Sequence, residues 1–258
     1  MKNAFPWPLL DSINPRTLYD FLGFEKHVRQ IREKRGAKVP EGWYKRPGYY
    51  VGICPPDKLF GPGTVTIPRF IEKPDYEFEI ALIVGKEGRF TDEKTAAAFI
   101  QEHCYFTLMN DWSARDYQKL DMDMGLSVAH SKSIIGTSIG PKLVPASQFK
   151  FDDNGVPDIP MKLTINGAVR SESNYNTVYW SFPKILAFLG RENIGVWAGD
   201  IIGSGTVGSG CIAEFSAKVV DGKEVEPAKY PWLKDGDEII LEAEGIGALK
   251  NNIVIARA

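Results

Sequence analysis

Between Asp75 and Val84 the chain reads Asp-Tyr-Glu-Phe-Glu-Ile-Ala-Leu-Ile-Val, and this run limits the possible folds more than any other. β-Branched and aromatic residues dominate it and an unbroken apolar tail follows Glu79, which predicts a buried strand. Residues two apart on a strand share a face, so Glu77 and Glu79 point together while Phe78 and Ile80 point oppositely. Two carboxylates about 4 Å apart repel by roughly 4 kcal/mol at an effective dielectric near 20. A shared proton, basic side chains or a cation must offset that repulsion. With no His or Cys nearby, carboxylate oxygens suit a hard ion such as Mg2+ or Ca2+. A solvated polar face on an edge strand is the alternative reading of the same residues.

The remaining chain is mostly of the same kind. Short runs at 64–68, 105–109, 161–166, 200–205, 211–219, 238–243 and 252–256 have strand character, bounded by turn signals from 25 Gly and 17 Pro. Helices are expected at 91–103 and 182–189 and, by the 100° stripe of Phe21, Phe24, Val28 and Ile31, over 15–36. On that last helix Asp20 and His27 would sit together at the edge of the stripe. Strands do not alternate regularly with helices, so the class is α+β, strand-dominated. A helical lead-in over 1–46 and a β-rich unit over 47–258 are the expected divisions.

Composition removes several functions. The chain has 258 residues, with 31 Lys plus Arg against 33 Asp plus Glu and a formal charge of -2. No broad cationic face is implied, and nucleic acid is not an expected partner. Three widely spaced cysteines without a Cys-x-x-Cys argue against a disulfide framework or structural zinc. The first residues, broken by two prolines and an acidic side chain, do not read as a signal peptide, and no apolar run is long enough to span a bilayer. A cytoplasmic protein with no membrane partner is the expectation.

Three further clusters could carry chemistry. In Asn110-Asp111-Trp112-Ser113-Ala114-Arg115-Asp116-Tyr117-Gln118, a helix capped by the Asn-Asp pair would bring Asp111, Arg115 and Gln118 onto one face. A capped helix with an ordinary ion pair is the competing reading. Lys132 is a lone cation entering a small, apolar stretch, either snorkelling or buried near carboxylates. The run from Ser204 to Glu214 is glycine-rich, with Thr206 and Glu214 as its polar projections, and lacks the P-loop pattern. Of the other histidines, His103 reads as structural and His130 lies near the lysine block. Cys104 and Cys211 read as buried small hydrophobes.

These clusters, in this order, resemble the fumarylacetoacetase (fumarylacetoacetate hydrolase) family. The likeness rests on YEFEIALIVGK, NDWSARDYQK, SKSIIGTSIGPKLVP and GDIIGSGTVGSGCIAEF followed by PWLKDGDEI, and extends from about residue 18 to 253. It implies a mixed β-sandwich or β-roll core with a few peripheral helices, and a homodimer. It implies a divalent cation, Mg2+ first with Ca2+ or Mn2+ as alternatives, held by Asp20, Glu77, Glu79 and Asp111. His27 matches the water-activating histidine, Glu214 its acidic partner, and Arg115, Gln118 and Lys132 the oxyanion group. Tyr50 and Thr206 match substrate-contacting hydroxyls, and Thr137 aligns loosely with a residue at the metal. Two departures stand out: Met122 replaces a substrate-binding tyrosine, and Gln30 occupies a position that in some members is the histidine's acidic partner. The implied activity is hydrolysis of a C–C bond in a β-diketo acid substrate of fumarylacetoacetate or acylpyruvate type. The alternative on the same scaffold is a 2-oxo acid decarboxylase, tautomerase or dehydratase.

Overall fold

The computed structural model describes residues 15–55 and 57–257, so the opening segment read against a signal peptide lies outside the described residues. The strand expected from Asp75 onward is the hub of the molecule. Phe78–Val84 is buried along its whole length and pairs antiparallel on both sides, with Cys104–Asp111 and with Ile201–Gly203. The sheet continues outward through Leu18–Phe21 and Tyr49–Gly52 on one side, and through Thr137–Ile139 and Leu59–Phe60 on the other. Two of its pairings, Leu18–Phe21 with Ile201–Gly203 and Leu59–Phe60 with Thr137–Ile139, are parallel, so the sheet is mixed.

A second sheet of five strands is ordered Ala168–Asn174, Pro160–Ile165, Glu238–Ala243, Gly247–Ile255 and Gly63–Ile67. Its first hairpin closes on Asn166-Gly167, both at positive φ (50° and 76°), the two-residue turn that matches strand twist. The result is a strand-dominated α+β fold with few helices.

Alternation along Phe78–Val84 divides the interior. Phe78, Ile80, Leu82 and Val84 face a large core shared with the second sheet and with helices Glu93–His103 and Phe182–Arg191. Ala81 and Ile83 face the other way, into a smaller cluster with Leu18, Met109, Ile139 and Ile201. Glu79, two residues before Ala81, continues that second face. One face of the sheet therefore builds the core, and the other carries acidic side chains at one end.

The helix expected over 15–36 is corrected. Leu18–Phe21 is a strand interior to the large sheet, and only Glu25–Glu33 is helical. Backbone pairing on both edges of Leu18–Phe21 outweighs the helical spacing of its apolar residues. Gly23 then makes the corner, because a side chain there would meet the Ser204 carbonyl at 2.3 Å. The strand expected over 211–219 is also replaced, by a 3-10 turn at Ile212–Phe215 followed by the short strand Lys218–Val220. The carboxylate of Glu214 bends back to the Cys211 N–H (3.0 Å), which closes a turn where a strand would run straight. No helix among the described residues is long and apolar enough to cross a membrane.

Candidate metal and active site

Four carboxylates meet on the acidic face of the large sheet. Asp20, Glu77, Glu79 and Asp111 are all buried, and one oxygen from each lies within 4.8 Å of the others. Their origins explain the convergence. Asp20 is opposite Gly203 in the parallel pairing, and Gly203 is opposite Ala81, two residues beyond Glu79. Asp111 ends the neighbouring strand, where its N–H donates to the Glu77 carbonyl at 3.1 Å. Gly203 is the floor between Asp20 and Glu79. A Cβ there would lie 2.3 Å from Asp20 Oδ1, 2.4 Å from Met109 Cε and 2.9 Å from Glu79 Oε2.

Two cations offset part of this charge. Lys132 Nζ reaches Glu77 Oε2 and lies 2.5 Å from Asp111 Oδ2. Arg115 Nη2 donates to Glu77 Oε1 at 2.6 Å, while its Nε donates to Asp75 Oδ2 at 2.9 Å. Burial alone would raise the Glu77 carboxyl, but Lys132 and then Arg115 hold it well below the usual range. Asp20 gets less help, from Lys132 alone and too little to offset burial, and no cation is among the influences on Glu79. Burial pushes both well above the usual carboxylate range, with Asp111 adding to it at Asp20, and Asp20 and then Asp111 at Glu79. Asp20 Oδ1 and Glu79 Oε1 are buried, and no hydrogen-bond donor among the described residues reaches them. An all-oxygen, four-carboxylate pocket with unserved oxygens fits a hard divalent cation, and these four residues would hold it.

Two expected outcomes follow from this charge balance. In the metal-free protein, Asp20 and Glu79 keep their protons to higher pH when folded than when unfolded. Above the ordinary carboxylate range the native state then binds more protons than the unfolded one, and stability falls as pH rises toward those raised values. Urea midpoints taken across pH in EDTA should fall and should flatten with saturating Mg2+; equal slopes in the two conditions would contradict the cation site. Gly203→Ala should cost about 1–3 kcal/mol of stability by overpacking. It should also weaken Mg2+ binding by roughly 10–100-fold, the range for changes that displace a ligand's support. Calorimetric titration measures this, and unchanged affinity would remove Gly203 from the site.

Beside the cluster, His27 Nδ1 lies 3.0 Å from Glu214 Oε1, with both residues buried. Glu214 is itself fixed. Its Oε1 accepts from the Ser209 N–H at 2.9 Å and its Oε2 from the Cys211 N–H at 3.0 Å. A carboxylate so held accepts the Nδ1 proton, which leaves Nε2 as the lone-pair nitrogen. His27 is near enough that a positive charge on its ring would act on Glu77. Gln30 hydrogen-bonds Ser209 instead: its Oε1 accepts from the Ser209 N–H (3.1 Å) and its Nε2 donates to the Ser209 hydroxyl (3.2 Å).

The remaining sequence-derived residues divide. Tyr50 is opposite Asp20 in register, and its hydroxyl is pushed well up by burial and by the nearby charges of Asp111 and Asp20. Thr137 Oγ1 donates to Asp111 Oδ1 at 3.3 Å, and Thr206 is buried directly after Gly205, whose N–H donates to Glu79 Oε2 at 2.9 Å. Gln118 Oε1 accepts from Arg115 Nη1 at 2.9 Å. His130 pairs with Asp121 (3.1 Å) on a largely exposed side chain, and His103 lies 3.5 Å from Glu102; neither is in the acidic cluster. Met122 is at the surface against Arg35. One expectation is corrected: Asp111, Arg115 and Gln118 do not share a helix. Asp111 ends a strand and the helix begins only at Arg115, because sheet pairing of Asp111 with Thr137 prevails over its capping propensity.

Sequence reasoning missed Asp75. This fully buried carboxylate takes Arg115 on one side and the N–H groups of Ile212 (2.8 Å) and Ala213 (3.0 Å) on the other. It thus ties the cation beside Glu77 to the turn that bears Glu214. The signal was present in the run Asp75-Tyr76-Glu77-Phe78-Glu79, where Asp75 continues the every-second-residue pattern.

Comparison with known proteins bears on the same residues. The family model described as Fumarylacetoacetate (FAA) hydrolase C-terminal matches residues 16–254. The oxaloacetate tautomerase YisK of Bacillus subtilis (strain 168) is 30% identical over 186 residues, covering 69% of this chain and 52% of that protein. The 4-hydroxyphenylacetate degradation bifunctional isomerase/decarboxylase of Salmonella dublin is 26% identical over 187 residues, covering 72% of this chain and 37% of that one. The chain thus spans about half or less of the length of these two relatives. A fumarylpyruvate hydrolase from Pseudomonas aeruginosa, solved with Mn2+ and pyruvate, superposes with a TM-score of 0.72. It is 20% identical, and the superposition covers 95% of this chain and 91% of that one.

Proposed function

The chain belongs to the fumarylacetoacetate hydrolase family, and on that premise we propose that it is a divalent-cation-dependent hydrolase of a C–C bond in a β-diketo acid, of fumarylacetoacetate or acylpyruvate type. The observation that carries this reading is the oriented His27–Glu214 pair beside four converging carboxylates. A pair of this kind is what activation of water requires, and hydrolysis is the chemistry in the family that needs water.

Held by Asp20, Glu77, Glu79 and Asp111, a cation such as Mg2+ or Mn2+ would supply Lewis-acid polarisation of the substrate's oxo oxygens. The chain's own groups do the rest. Nε2 of His27 takes a proton from water, and Glu214 stabilises the imidazolium that forms. The resulting hydroxide adds to the acyl carbonyl carbon, the one farther from the carboxylate of the leaving keto acid. The C–C bond then breaks, and its electron pair leaves on the keto-acid fragment (pyruvate from an acylpyruvate, acetoacetate from fumarylacetoacetate) as an enolate that recovers the proton from His27, while the acyl fragment leaves as a carboxylic acid. Gln118, whose Oε1 is held by Arg115, presents its amide N–H groups for the oxyanion. Each such donor is worth about 3 kcal/mol in a preorganised site. Tyr50 and Thr206 are the proposed substrate contacts. Lys132 and Arg115 act through Glu77, keeping it ionised.

A second reading, a tautomerase or decarboxylase of 2-oxo acids, is favoured by the two relatives named above, whose activities are isomerisation and decarboxylation. A panel of fumarylacetoacetate, acylpyruvates and oxaloacetate, run with Mg2+ and then with EDTA, separates them. Diketone cleavage that EDTA abolishes is the expected result. Oxaloacetate turnover with no diketone cleavage would replace the hydrolase with the second reading.

A further inference from the structure

We propose a second metal site, selective for a soft or borderline cation such as Zn2+, formed by His27, Cys211 and Glu214 next to the carboxylate cluster. One donor atom from each of the three lies within 4.8 Å of the others, and all three residues are buried. The composition differs in kind from the neighbouring pocket. Imidazole, thiol and carboxylate are a donor set suited to zinc, whereas Mg2+ has no use for sulfur. Three protein ligands with a fourth position open to water is an ordinary zinc arrangement, with donors roughly 3.5 Å apart around the ion. The present spread is a modest closure away from that. Glu214 is already aimed by the N–H groups of Ser209 and Cys211, the outer-shell support that metal-binding carboxylates ordinarily have.

Local folding uses the cysteine but does not require one. Cys211 is the N-cap of the turn Ile212–Phe215, where its sulfur accepts the Glu214 N–H in a capping box. Serine, threonine, asparagine and aspartate are the stronger caps at such a position. Nor is the thiol held for a disulfide, since all three cysteines are free. Binding would exchange the S–H bond for a zinc–sulfur bond and release the thiol proton to solvent; a His27 that ligates through Nδ1 would give up its hydrogen bond to Glu214 and carry its ring proton on Nε2 instead, and no oxidation state changes. Because the ion would engage the imidazole proposed as the base, occupancy should block turnover while Mg2+ remains bound. That inhibitory consequence rests on the reading of His27 as base, but the binding itself does not.

Cobalt(II) tests the site without reference to activity. Protein saturated with Mg2+ should take up one further equivalent of Co2+, with a sulfur-to-cobalt charge-transfer band in the near ultraviolet that Zn2+ then removes. Cys211→Ser keeps the cap, so it should retain Mg2+ binding yet lose both the band and the extra equivalent. Cys54→Ser and Cys104→Ser should keep both. His27→Ala should also lose the extra equivalent, which secures the test if Cys211→Ser folds poorly. With an active substrate, inhibition by Zn2+ should need at least tenfold more metal in Cys211→Ser. Absence of the band in the unsubstituted protein, its survival in Cys211→Ser, or Co2+ uptake only in exchange for Mg2+ would overturn the site.

Discussion

His27→Ala is expected to lower turnover of the cleaved diketo acid by roughly 10²–10⁴-fold, the usual contribution of a positioned general base, while leaving Mg2+ affinity unchanged. The two halves come from separate features. The imidazole is bound to Glu214 at 3.0 Å, and the proposed cation pocket is the separate cluster of Asp20, Glu77, Glu79 and Asp111. Removing the ring takes away the proton acceptor but none of those four oxygen ligands. Glu214→Gln is the companion variant. It preserves the shape at the end of the Ser209 and Cys211 N–H groups but cannot stabilise an imidazolium as a carboxylate does. It should therefore lower kcat more than it raises KM. Steady-state kinetics with a parallel calorimetric titration of Mg2+ checks both. Full activity in His27→Ala would remove water activation from this side chain. Lost Mg2+ binding would mean the histidine supports the cation.

What the sequence made legible follows from the range over which each signal acts. The pairing of Glu77 with Glu79 is a two-residue property of one strand, and the fold keeps it: both carboxylates reach the same cluster. The burial of that strand was equally local, written in Ala81–Val84. The α+β class was legible in the irregular order of strands and helices, and the family likeness joined Asp20, His27 and Glu214, from distant parts of the chain, into one expected site. What was lost is register between strands remote in sequence. Asp20 reads as helical because Phe21, Phe24 and Val28 keep a helical period. Its pairings to Tyr50 and to Gly203, the second more than 180 positions away, make it a strand residue. Gly203 itself is one glycine among 25 in the sequence. Its necessity lies in two carboxylates that arrive from other strands, and no local pattern announces that. Asp75 fell between the two cases: its alternation was local, but its partners Arg115, Ile212 and Ala213 are all distant.

Arg115→Met is expected to destabilise the protein by about 3–5 kcal/mol, the usual cost of stranding a buried charge by removing one partner. Thermal midpoints of chains of this size move by roughly 2–4 °C per kcal/mol, so the shift should be large. The size follows from who is left behind. Asp75 and the Arg115 side chain are almost wholly buried, and the guanidinium meets Asp75 through both Nε and Nη2 at 2.9 Å. Without it, Asp75 keeps the Ile212 and Ala213 N–H groups but has no countercharge. Glu77 is better placed, because Lys132 still reaches it. The loss should therefore belong mainly to Asp75. A double-mutant cycle decides this: Asp75→Asn together with Arg115→Met should recover much of the stability lost in Arg115→Met alone. The amide keeps one of the two acceptors that serve the turn bearing Glu214, loses the other, and carries no charge to strand. If the double variant is as unstable as the sum of the singles, Asp75 and Arg115 act independently. The link from the acidic cluster to the Glu214 turn would then have to run through other residues.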